Sequence, residues 1–515
     1  MTEKREETPV VPAVRAGHGV LVRARNGDVI AYDSTGLVMR LADKVIDDIA
    51  LRLRDRLAVG ARPSAGGDTP AAGADDLESL EAMLDGFDVW NIRAEGEWLR
   101  FSGRLPGRQG ARDFRRNRAG GAILAEAPGA LTGILGLGGP RAALASPGGA
   151  GYPFHILAPA DDIGAVGHAG IERAARIDLL AALREMTHEA LMAEACLDWQ
   201  MDKHGSLPLF VTRVETDSST SAAALADGVA LENLLLAAAN LKQAAARLGK
   251  PARIFAVTLD FALEALEGTA TDYRDGMIRA MDRISTGLAR LGFERPIFVA
   301  RLEAGRPGLI SDRIIDAQWE LAWNAGGHRL VISAPSYMFS LDAHDRPTPA
   351  ARRHMAEMSA AAVSAAAQRA LEPDPLLDGW RCPVFHLAEL DQRPAKDGSV
   401  TLRVIGRALG DLDLTPGDAP GGDQAVGFAI DGDTAGASIL SVSIDAKDSQ
   451  TLLIKLDRRP EGGDLRLRYG YGAAPDGVAR VAVRDDWQLG AQDGRILHRW
   501  ALPCRLPIHA GGAAS

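Results

Sequence analysis

The stretch "LENLLLAAANLKQAAARLGKPARIFAVTLDFAL", residues 231–263, contains one change of hydrophobic period. Leu231, Leu234, Leu235, Ala238, Leu241, Ala245 and Leu248 follow the three- and four-residue spacing of one helix face, and Gly249 ends the pattern. A short apolar run then begins at Ala252, which reads as a strand. The unit recurs: Met277, Met281, Ile284, Leu288 and Leu291 precede Gly292 and the run "PIFVARL". With "AILAEA", "PLFVTRVE" and "HRLVISA" as further runs, residues 121–372 are expected to form an α/β domain, a parallel sheet flanked by helices. The Met and Leu stripes are core faces.

Outward from this region the period changes twice. From about Trp380 short alternating runs such as "VTLRVIGR" and "TLLIKL" are divided by Gly, Asp and Pro, which predicts a C-terminal β-sandwich over 379–511. Before the α/β region, "GVLVRARNGDVIAY" reads as a hairpin turning at Asn26-Gly27 and is followed by an amphipathic helix, together spanning 1–58. Residues 59–76, rich in Gly, Ala, Pro and Asp, are expected to be a flexible linker, and 77–120 a small β-rich segment with a turn at Glu95-Gly96-Glu97. Six arginines between Arg104 and Arg118 read as a solvated basic loop, with an anionic partner such as an acidic sugar, a phosphate or a neighbouring subunit as the alternative.

Composition narrows the function. A formal charge of −10 over 515 residues argues against general nucleic-acid binding, which needs an excess of clustered cations. No run of eighteen apolar residues and no signal-type leader is present, so no membrane insertion is expected. Three widely spaced cysteines, Cys196, Cys382 and Cys504, read as buried thiols of a chain folding in a reducing compartment. No metal-ligand spacing occurs, the acidic turns at 417–423 and 431–433 read as solvated, and no metal or cofactor is expected. The glycine-rich "GILGLGGPRAALASPGGAG" fits neither a dinucleotide nor a P-loop pattern and reads as a loop on the active face.

The helix, strand, loop and Tyr-opened helix of residues 226–284, with Gln318 and "DAHDRPTPAARRHMA", resemble SGNH hydrolases of the sialate O-acetylesterase type. The tail "VAVRDDWQLGAQDGRILHRWALPCRLPI" is similar to endings found in phage-borne relatives and in gene transfer agent head spike proteins. The resemblance implies a catalytic serine in a Gly-Gln-Ser-Asn turn after the first strand and an Asp-x-x-His turn near the end. Taking "AILAEA" as that first strand puts the nucleophile position on Gly129, which has no side chain. The second block falls on Ser218 and Ser219, and the third on "FALE", ending at Glu264. Leu341 stands three residues before His344, and Asp342 two before it.

These departures lead to the expectation of a pseudo-esterase: a carbohydrate-binding protein in which Gly129, Ser219, Glu264, Gln318 and His344 face the sugar. The implied setting is a spike or fibre of a phage-like particle, homo-oligomeric and made in the cytoplasm. Released by lysis, it would bind cell-surface or capsular polysaccharide and attach to capsid or spike proteins through its N-terminal region. One alternative is an active O-acetylesterase using Ser218 or Ser219 with His344 and Asp342, and the other is a purely structural subunit.

Overall fold

The computed structural model describes residues 19–23, 29–33, 36–40, 84, 86–161, 163–304, 311–369, 379–416, 426–432, 434–472 and 480–510. The chain divides into two units, residues 1–119 and 120–515. In the first, Gly19–Arg23 pairs antiparallel with Val29–Asp33, which pairs with Gly36–Arg40. The Asn26-Gly27 turn, the helix after it and the 59–76 linker lie outside the described residues. Asp88–Glu95, Trp98–Arg104 and Arg112–Asn117 also pair antiparallel, and Glu95 faces Trp98 across a turn in which Gly96 takes φ +59°. The basic cluster is not simply a solvated loop. Arg112, Arg115 and Arg116 lie in a strand, and the buried Arg115 guanidinium stacks over Trp98 at 5.2 Å from the ring centroid.

The second unit is built on a seven-stranded sheet. Its strands are β1 (Leu131–Gly138), β2 (Ile156–Pro159), β3 (Leu180–Ala182), β4 (Leu209–Thr216), β5 (Ala252–Asp260), β6 (Ile297–Leu302) and β7 (Arg329–Pro335). They lie in the order β3-β2-β4-β1-β5-β6-β7. All neighbours are parallel except the β2–β3 pair at one edge. The helices are α1 (His188–Asp202), α2 (Ala222–Asp227), α3 (Val229–Arg247), α4 (Ala270–Arg290), α5 (Asp312–Trp323) and α6 (Pro349–Arg369). Helices α1 and α6 pack together, as do α4 and α5. The expected α/β sheet flanked by helices is therefore present. The run β4-β1-β5-β6-β7 has the 2-1-3-4-5 order of flavodoxin-like sheets.

One assignment is corrected. "AILAEA" is not the first strand of the parallel sheet; that strand is "LTGILGLG", which takes in the first six residues of the stretch expected to be a glycine-rich loop. Glycine weakens a strand in isolation, but here all eight residues are buried and the missing side chains make room for neighbours. A Cβ on Gly133 would come within 2.7 Å of the Leu241 side chain on α3, and one on Gly136 within 2.4 Å of Glu189 Oε1 on α1. Burial on both faces removes the alternating pattern that marks a half-exposed strand.

The C-terminal region comprises a seven-stranded sheet and a three-stranded sheet formed by Leu412–Pro416, Val481–Gly490 and Ile496–Trp500. Their apolar residues, among them Leu402, Phe428 and Leu452 with Val483 and Leu497, share one core, as expected of a sandwich. That core continues into the α/β part through Tyr337, Met338 and Met358. Tyr337 Oη donates to the Ala501 carbonyl at 2.7 Å and lies 3.1 Å from Tyr469 Oη, both contacts being buried.

Candidate functional site

In open α/β sheets the crevice at the carboxyl ends of the strands, beside the point where strand order reverses, is the natural ligand position. Here β1 is flanked by β4 and β5, and their ends align, Gly138 opposite Thr216 and Asp260. A cleft opens at this end of the sheet. Arg141 and Ala142 come from the 3-10 turn after β1, Asp260 ends β5, Arg301 and Glu303 lie at the end of β6, and Ser336 and Phe339 follow β7. His188 from α1, Arg352 from α6 and Asp345 add to its polar lining, while Leu144, Leu263, Leu341 and Met355 supply apolar surface. It offers about 80 Å³ of room to water-sized molecules. A smaller cavity of about 20 Å³ beneath shares Ala142, His188, Asp260 and Arg301 with it.

Backbone contacts hold the turn after β1. Gly139 N donates to Asp260 O at 2.9 Å, Arg141 N to Glu264 Oε1 at 3.1 Å, and Arg141 Nη1 to Asp345 O at 3.1 Å. Arg301 Nη2 donates to Asp260 Oδ2 at 2.5 Å. Behind β6, Gln318 Oε1 accepts from Glu303 N at 2.8 Å and its amide donates to Arg301 O at 3.3 Å. On the floor, His188 Nε2 lies 3.2 Å from Ser359 Oγ, which donates to Ser333 Oγ at 3.2 Å.

Burial governs the protonation of this site. It pushes the Glu264 carboxyl up to about 7, helped by the neighbouring charge of Asp260. Glu189 is also raised by burial, although Thr258 Oγ1 donates to it at 2.5 Å. The His188 imidazole is driven down to about 3, first by burial and then by the Arg301 charge. It is therefore neutral throughout the ordinary pH range.

The residues expected at the site are dispersed. Gly129 precedes β1 and so lies at the opposite end of the sheet, about 25 Å of strand from the cleft. There Lys250 Nζ reaches its carbonyl at 3.4 Å, and Leu131 N donates to Pro251 O. Gly129 therefore does not line the cleft; the turn that follows the central strand presents Pro140, Arg141 and Ala142. Ser218 and Ser219 follow β4 but do not line the cleft; Ser219 N donates to Asp217 Oδ1 at 2.8 Å in a local turn. His344 is exposed and outside the cleft lining, whereas its neighbours Leu341 and Asp345 belong to it. Asp342 accepts from His344 N, Arg346 N and Arg346 Nε, so its carboxylate organises its own loop and does not orient the imidazole. Glu264 sits beneath the 139–143 turn, and Gln318 supports β6 from behind.

Arg141, His188, Asp260, Arg301, Glu303 and Arg352 were missed. The available signal was positional: Asp260, Arg301 and Glu303 lie at the ends of apolar runs, where a parallel sheet delivers its functional groups.

No protein-family model matches the sequence, and no curated protein does. Among solved structures, a carbohydrate acetylesterase from Xanthomonas citri aligns with a TM-score of 0.43 and 15% identity, over 78% of this chain and 85% of that one.

Proposed function

We propose that the second unit is a carbohydrate-binding module that does not hydrolyse esters. The observation that carries this reading is Arg141, a cation in the turn where an attacking hydroxyl would be presented. A cleft that alternates donors and acceptors beside the Phe339 ring suits a polyhydroxylated ring, whose hydroxyls need both and whose faces need apolar cover. The sequence resemblance to sugar esterases supports the same ligand class.

Ester hydrolysis requires a nucleophile within reach of a competent base. The Ser–His contact in the cleft floor pairs Ser359, 2% exposed, with an imidazole whose pKa of about 3 makes it a poor proton acceptor. In this reading the segment before residue 77 attaches the protein to a larger particle, as the resemblance of the tail to phage-borne proteins suggests. The module is then presented to cell-surface polysaccharide.

The test combines turnover of p-nitrophenyl acetate and acetylated sugars with binding to a glycan panel, for the native chain and for Ser359→Ala and His188→Ala. The expected result is sugar binding without turnover. Hydrolysis abolished by Ser359→Ala would replace the proposal with an active esterase, and neither binding nor turnover would leave a structural subunit.

A further inference from the structure

Within the carbohydrate-binding reading, on which this inference rests, the three arginines of the cleft differ in their partners, although Asp260, Glu303 and Asp345 line it as well. Arg301 is neutralised by Asp260 at 2.5 Å. Arg141 and Arg352 have no carboxylate within ion-pair distance among the described residues. Arg141 Nη1 donates to an uncharged carbonyl, that of Asp345, and Arg352 Nε is buried without a hydrogen-bond partner. Both side chains belong to half-buried residues that line the same cleft. The carboxyl nearest the Arg141 backbone, Glu264, is held near neutrality and offers only partial compensation.

A partly desolvated guanidinium gains most from an anion that presents two oxygens to its planar fork. We propose that the sugar bound in this cleft carries a carboxylate, as a uronic acid residue does, and that Arg141 and Arg352 hold that group. Asp260 stays paired with Arg301, and Phe339 with Leu341 covers the ring. The turn after β1 would thus select charge where a hydrolase attacks an ester.

The test measures calorimetric binding of the full chain to oligomers of galacturonate, alginate and hyaluronan, each beside its carboxyl-reduced counterpart, with dextran sulfate as a further arm. The expected result is binding about tenfold or more tighter to at least one native form than to its reduced form, weakening as salt rises. Arg141→Gln and Arg352→Gln should each remove that preference, and Arg352→Lys should keep part of it; melting curves verify that the variants are folded. Equal affinity for native and reduced forms would overturn the carboxylate and leave the sugar reading standing. Binding of dextran sulfate alone would overturn it in favour of a sulfate group, and no binding to any neutral or acidic glycan would overturn both readings.

Discussion

Arg141 N donates to Glu264 Oε1 at 3.1 Å and thereby joins the turn after β1 to the loop after β5 across 123 residues of sequence. The side chain of Arg141 lines the cleft, while the carboxyl of Glu264 lies beneath the turn, where a Cβ on Gly139 would meet its Cγ. Glu264→Ala removes this acceptor and leaves a desolvated amide. We expect a loss of about 1–2 kcal/mol in urea unfolding together with weaker glycan binding, whereas Glu264→Gln keeps an acceptor oxygen and most of the binding. Unchanged binding in Glu264→Ala would show that the turn holds its shape without this bond.

Restoring a hydroxyl does not restore hydrolysis. In Arg141→Ser the new side chain has no competent base, because His188 titrates at about 3 and His344 lies outside the cleft lining. Turnover of p-nitrophenyl acetate should stay at background from pH 6 to 9. A rate that rises with pH and disappears in the additional His188→Ala variant would refute this.

Stability should fall as pH rises through neutrality. Burial holds both Glu264 and Glu357 up to about 7, above the ordinary 4.5 of an unfolded glutamate. These two carboxyls therefore bind more protons in the folded than in the unfolded chain between about pH 4.5 and 7, so their stabilisation is complete below that window and lost as pH climbs through it, while His188, held down to about 3, acts in the opposite sense below about pH 6.5. The urea midpoint should drop from pH 5 to pH 8, and drop less in a Glu264→Gln, Glu357→Gln double variant. Parallel pH profiles would argue against these two groups as the cause.

Gly136→Ala tests the close packing of the central strand. Its new methyl would stand 2.4 Å from Glu189 Oε1 and 2.6 Å from Thr258 Oγ1, two buried groups already hydrogen-bonded to each other. The expected loss is about 1–3 kcal/mol. Gly490→Ala, where a Cβ meets nothing within 4 Å, is the matched control and should change little.

Tyr337→Phe probes the join between the α/β part and the sandwich. It removes a buried donor from the Ala501 carbonyl and the contact with Tyr469 Oη, with an expected loss of about 1–2 kcal/mol. Because Tyr337, Met358, Phe428 and Leu452 belong to one core, calorimetry of the native chain should show the two regions melting together. Two separated transitions would contradict a shared cooperative core.

Periodicity alone determined the fold class. The helical spacing that ends at Gly249 and the apolar run that follows became α3 and β5, and the period-two runs after Trp380 became the sandwich. These signals survive because burial of one helix stripe or one sheet face is imposed locally, residue by residue. The central strand was illegible because its glycines have value only against Leu241 and Glu189, side chains more than fifty residues away in sequence. Taking "AILAEA" for it put Gly129 beside the expected cleft, whereas Gly129 lies at the opposite end of the sheet. The cleft itself was decided by tertiary structure: Arg141, Asp260, Arg301 and Arg352 come from four separate segments, brought together where parallel strands end and the direction of the strand order reverses.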